Sequence, residues 1–248
     1  MMVFCLPRSG STAFCEKLAI ENDIINNKEY FNIKVRGFNP YMGTYTIGSL
    51  DKIKVSSKEV ELKGANLKNN LPQDFLERME ILKNSPMDID DYVVKILPHH
   101  VNWTSKELIH LFKNTKTYIL NRKDSFRQFL SWYFANSTKS FHNRDSFGKG
   151  WRSHSALTDT YNEKFPDKIN ISQEWFDRFV GLFQRYLYGS LVIKDLFADY
   201  EIINYEDIHF PKLLDNKKIT IDYRDWVKNL DEVEAFANQI SRYKEKII

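Results

Sequence analysis

Cysteine is scarce, net charge is small and long apolar runs are missing, and each shortage narrows what the chain does. Its two cysteines, Cys5 and Cys15, make neither a disulfide framework nor a zinc-ligand cluster. If Cys5 lies on a strand and Cys15 on the helix after it, both are expected to be ordinary buried thiols. A formal net charge of +3 is small for a nucleic-acid binder, whose basic residues cluster heavily, so no nucleic-acid partner is expected. No apolar run approaches the roughly 20 residues that span a bilayer, which argues against a membrane span. Pro7-Arg8 interrupts the opening Met1-Met2-Val3-Phe4 almost at once, so this is not a secretory leader and a cytoplasmic location is the expectation.

What the chain does contain is enough apolar material to fold. Hydrophobic residues make up 42% and aromatics 15%, which excludes a disordered chain, and 248 residues suit one α/β domain. Met2 to Leu6 reads as a buried strand that breaks at Pro7 and resumes after Gly10 as a helix over Thr12 to Glu21. Between residues 31 and 70 the pattern suggests a strand at Phe31–Val35, then loops and a hairpin. A helix is predicted from Pro72 to Lys83, with proline in the first turn. Tyr92 to Leu97 and Thr117 to Leu120 read as buried strands. A capping box at Thr104-Ser105-Lys106-Glu107 starts a helix to Phe112, and another helix runs from Ser125 to Ala135.

Residues 140–170 are polar, aromatic and glycine-containing and read as a long loop or lid. Ser172 is predicted to cap a long helix to Phe197, with Phe176, Phe179, Val180, Phe183, Leu187 and Leu191 on one face. Tyr200 to Asn204 is the last strand. A closing helix is predicted to begin at Asp231, with Glu234 completing a capping box. Strand alternating with helix argues for a single α/β domain, residues 1–248, whose mostly parallel central sheet is flanked by helices.

The chemistry starts at Pro7-Arg8-Ser9-Gly10-Ser11-Thr12. A strand, a tight turn and a helix start gather backbone N–H groups and a positive helix end around one point, which suits a phosphate. Gly10 allows close approach of the backbone, Ser11 and Thr12 offer hydroxyls, Arg8 a permanent charge, and Ser9 stands with them in the expected cofactor-binding set. A triphosphate-binding P-loop needs G-x-x-x-x-G-K-[S/T], and this loop has neither the spacing nor the Gly-Lys pair. A tyrosine-phosphatase loop would place Arg six positions after Cys5, where Ser11 stands. A strand-to-helix turn with an incidental arginine is the remaining alternative.

This loop resembles the 5′-phosphosulfate loop, P-[K/R]-[S/T]-G-[S/T]-[S/T], of sulfotransferases that use 3′-phosphoadenosine 5′-phosphosulfate (PAPS). Arg8 in place of lysine is closer to protein-tyrosine and bacterial members than to the cytosolic animal enzymes. A second likeness lies in Tyr118-Ile119-Leu120-Asn121-Arg122 and the helix after it: in the family an arginine at this strand's end and a serine on the next helix hold the 3′-phosphate. The resemblance thus gives that role to Arg122 and Ser131, while Lys123 and Arg127 remain alternatives. Ile203-Asn204-Tyr205-Glu206-Asp207-Ile208 resembles a further family segment of mainly architectural use. The resemblance implies a P-loop-like sulfotransferase fold, PAPS as donor and no metal.

Sulfuryl transfer needs cations on the transferring oxygens and a base for the acceptor's proton. Arg8 suits the first task, and Lys95 resembles the lysine of the family's K-T-H-x-P strand end. Two base candidates emerge. Glu29 lies about as far beyond Arg8 as the catalytic glutamate does in tyrosylprotein sulfotransferases. His99 or His100 lies near the family's catalytic histidine, although Leu97 stands in that histidine's own register. The expected acceptor is a hydroxyl, or an amine, of a small molecule, glycan or glycolipid, bound by segments 31–90 and 137–170. A nucleotide kinase or a non-catalytic nucleotide-binding protein are the alternative functions.

Overall fold

The apolar runs at Met2–Cys5, Tyr92–Ile96 and Thr117–Asn121 are continuous rather than alternating, the pattern of strands covered on both faces. The computed structural model describes residues 1–26, 52–55, 58–61, 84, 88–100, 106–138, 154–210 and 221–247. In chain order its strands are β1 (Met2–Cys5), β2 (Ile25–Asn26), β3 (Lys52–Val55), β4 (Lys58–Glu61), β5 (Tyr92–Ile96), β6 (Thr117–Asn121) and β7 (Tyr200–Asn204). Its α-helices are α1 (Ser11–Asn22), α2 (Lys106–Phe112), α3 (Ser125–Thr138), α4 (His154–Lys164), α5 (Gln173–Leu196) and α6 (Leu230–Ile247). The strand predicted at Phe31–Val35, the helix predicted at Pro72–Lys83 and the Thr104–Ser105 cap lie outside the described residues.

Five strands form an all-parallel sheet in the order β2-β5-β1-β6-β7, while β3 and β4 make a separate antiparallel hairpin. Helices cover both faces of the sheet. Tyr118 lies beside Val3 in register and meets Phe14 of α1 edge-on at 5.5 Å. Phe4 points the other way and meets Tyr186 of α5 at 5.3 Å. Met2, Val3, Phe4, Val94, Ile96, Ile119 and Leu120 are fully buried. Burying such a side chain stabilises the fold by roughly 1.5–3 kcal/mol each.

The chain divides into two compact units, one made of Met1–Asn121 and Leu182–Asp207, the other of Arg122–Gly181 and Ile208–Ile248. The first holds the parallel sheet. The second has a core of rings: Phe129 packs on Phe176, Phe179 and Phe236 at 5.2, 5.3 and 5.0 Å. Phe134 packs on Tyr161 and Tyr223 at 5.4 and 5.1 Å.

Three expectations need correction. Residues 154–164 form α4 rather than loop, anchored through buried Tyr161. On α5 the buried stripe runs Phe176, Phe179, Phe183, Tyr186, Ser190, Ile193, whereas Leu191 is 43% exposed. Steps of three and four residues keep those positions on one face, and Leu191 falls one residue out of that register. The closing helix begins at Leu230, one residue before Asp231. Asn229 precedes it, with its amide Nδ2 on Glu232 at 2.9 Å and its side chain bonded both ways to the Ile171 backbone. Among the described residues no helix is long and apolar enough to cross a membrane.

Candidate functional site

In a parallel sheet all strands end on one edge, and the residues just past those ends are the usual ligand-binding positions. Past β1 stands the loop Pro7–Gly10. Arg8 has φ 62° and Gly10 φ 80°, whereas Ser9 between them is not in the positive region. Tight turns with left-handed residues are the kind of backbone in which successive N–H groups can face one anion. Holding a non-glycine residue such as Arg8 there costs of order 1–2 kcal/mol, a strain typical of functional turns.

Gly10 is the residue before α1, and no side chain caps that helix start. The first turn of α1 also carries no acidic residue, so nothing there offsets its positive end. Ser9 is fully buried, and its hydroxyl finds no hydrogen-bond partner among the described residues. A buried donor in that state suits an incoming oxyanion. A bound phosphate group would therefore meet converging N–H groups, an open helix end and a waiting hydroxyl.

Tyr205, one residue past β7, fixes the loop from outside. A Cβ on Gly10 would fall 2.0 Å from its Cε2, so the ring fills the space that any side chain at Gly10 would need. At the same edge Asn121 Nδ2 donates to Asn204 Oδ1 at 3.0 Å, and Asn204 Nδ2 donates to Asp207 Oδ2 at 3.0 Å. These bonds tie the ends of β6 and β7 together and hold the Tyr205–Asp207 turn. The hydrophobic-Tyr-Glu-Asp pattern signals the turn, but its contact with Gly10 is visible only in three dimensions.

The lysine stands near the end of β5, and the histidines follow that strand. Lys95 pairs in register with Val3, is buried, and its Nζ donates to Thr12 Oγ1 at 3.3 Å. The structure thus brings Lys95 to the Pro7–Thr12 segment. His100 is drawn into its own turn: its N–H donates to the Leu97 carbonyl at 2.9 Å, and its Nδ1 accepts from the Leu97 N–H at 3.2 Å. Neutral His100 therefore carries its proton on Nε2. His99 is exposed and stands edge-on to the His100 ring at 4.6 Å.

Arg122 directly follows β6, is half-buried, and belongs to the second unit together with Ser131, which is buried on α3. The alternative contact Arg127 holds its Nε 4.0 Å from Asp124 Oδ2, and its backbone N–H donates to Asp124 Oδ1 at 2.8 Å. Arg127 and Arg224 line a cavity of about 250 Å³ in this unit, with Phe126, Tyr223 and Glu234. Lys123 is exposed. Glu29 lies outside the described residues, as do 31–51, 62–83 and 139–153 of the two acceptor segments.

Compared with known family models, curated proteins and solved structures, the chain matches none. The functional reading rests on residues and geometry alone.

Proposed function

We propose that the chain is a sulfotransferase that transfers the sulfuryl group of PAPS to a hydroxyl, or less favourably an amine, of a small molecule, glycan or glycolipid. The observation that carries this reading is the Pro7–Thr12 loop: two left-handed residues, an uncapped helix start, and a buried lysine on Thr12 in a loop without the Gly-Lys pair of a triphosphate site. In this reading the loop N–H groups hold the 5′-phosphosulfate. Arg8 and Lys95 face the transferring oxygens, where cations lower the barrier most. Arg122 and Ser131 take the 3′-phosphate, a charged fork and a hydroxyl suited to a second anion. The fold in this reading is the P-loop-like one that the resemblance implies.

The acceptor oxygen attacks sulfur in line as the bond from sulfur to the 5′-phosphate oxygen breaks. The bisphosphate nucleotide departs with that electron pair, and the acceptor's proton passes to a base. Glu29 and His99 are the two candidates for the base, His100 being engaged in its turn. Calorimetry with adenosine 3′,5′-bisphosphate and, separately, ATP with Mg²⁺ tests the reading, followed by labelled PAPS with an acceptor panel. Preference for the bisphosphate and label transfer are expected. No bisphosphate binding, or tighter ATP binding, overturns the proposal in favour of a phosphotransferase.

A further inference from the structure

Val233, Ala237 and Ile240 form the buried stripe of α6, and the stripe's next position is Lys244, only 3% exposed. Position 244 calls for an apolar residue, because removing an ammonium from water is costly unless its hydrogen bonds are replaced. Here they are replaced by specific partners. Lys244 Nζ donates to the Arg122 carbonyl oxygen at 2.7 Å and to Gln128 Oε1 at 2.9 Å. One turn earlier Ser241 Oγ donates to Ser125 Oγ at 3.0 Å, joining α6 to the start of α3.

We propose that Lys244 is a positioning residue that sets Arg122 and Ser131 for the 3′-phosphate, an inference that rests on the sulfotransferase reading. Its bond to the Arg122 carbonyl fixes the peptide plane at the junction between β6 and α3, and with it the direction in which the guanidinium leaves the backbone. Its second bond holds Gln128, buried on α3 three residues before Ser131 and therefore on the same side of the helix. One ammonium thereby ties the root of the arginine to the helix that carries the serine. A site built on side chains needs that kind of support if its donors are to stand within a fraction of an ångström of the anion.

The test compares adenosine 3′,5′-bisphosphate with adenosine 5′-monophosphate by calorimetry, so that the ratio of affinities reports the 3′-phosphate alone. In Lys244→Met the ratio should fall about tenfold, as when outer partners of an ion site are removed, with the monophosphate affinity unchanged. In an Arg122→Ala background the same substitution should change the ratio no further, because the two act through one contact. Lys244→Gln, which keeps one donor, gives a smaller fall and serves if the methionine variant does not fold. Equal loss for both nucleotides, an unchanged ratio, or failure of both variants to fold would make Lys244 a stability residue and overturn the assignment. A wild-type protein without preference for the bisphosphate would overturn the sulfotransferase reading and this inference together. A wild-type preference kept by the Lys244 variants would sink this inference alone.

Discussion

Gly10 carries two independent constraints, and they separate by substitution. Its φ of 80° excludes a Cβ at a cost of about 1–2 kcal/mol, and the Tyr205 ring excludes it again by overlap. Gly10→Ala should therefore destabilise the protein by about 2–4 kcal/mol in urea unfolding. Adding Tyr205→Ala should return only the overlap part, with the φ part left. Lys95 differs, since its ammonium reaches the loop at the Thr12 hydroxyl. Lys95→Met should lower turnover by about 10²–10³ while bisphosphate affinity changes far less, the sign of a group that acts on developing charge. Glu29→Gln and His99→Asn decide the base. One of them should lose about 10²–10⁴ in turnover at unchanged bisphosphate affinity, and the other should not.

Elements were legible from the sequence where their signal is local and continuous. β1, β5 and β6 stood out because strands covered on both faces are near-continuous apolar runs, whereas the edge strand β7 is exposed or half-buried along its length. The Pro7–Gly10 turn between β1 and α1 was legible because its parts are consecutive residues. α4 was not, because most of its described side chains face water; among them Tyr161 is the buried one, and Asn162 Oδ1 accepts from Trp226 Nε1 at 3.0 Å. The start of α6 was misread because Asn229 serves Ile171, a residue 58 positions away, before it serves its own helix. Asn229→Ala removes both backbone bonds at once. A loss of about 2 kcal/mol is expected in urea unfolding, near the sum of two ordinary hydrogen bonds. The link from Lys244 to Arg122 spans 122 positions, beyond any local pattern.

For the molecule as a whole, buried phenols set the alkaline limit. Burial raises the pKa of Tyr118 and Tyr133, and that of fully buried Tyr186 furthest, with its hydroxyl on the Leu120 carbonyl at 3.3 Å. Each group's folded pKa lies above its unfolded one, so its contribution is fully present below the unfolded tyrosine pKa near 10 and declines as pH rises beyond it. Stability should fall from about pH 10 upward, and Tyr186→Phe should flatten that fall in denaturant titrations across pH 8–11. The sheet order also bears on how the chain is born. β1 sits between β5 and β6, with Met2 beside Val94 and Thr117. A ribosome adding roughly 5–20 residues per second takes some 6–25 seconds to supply β6 after β1 has been made. Until β5 is made the apolar strand β1 lacks both of its neighbours, and until β6 follows it lacks one of them, so the loop after it has only part of its scaffold. The Pro7–Thr12 turn is thus made before either strand that flanks β1 and takes its full support only after them, and a chaperone that shields residues 2–6 would act on that waiting period.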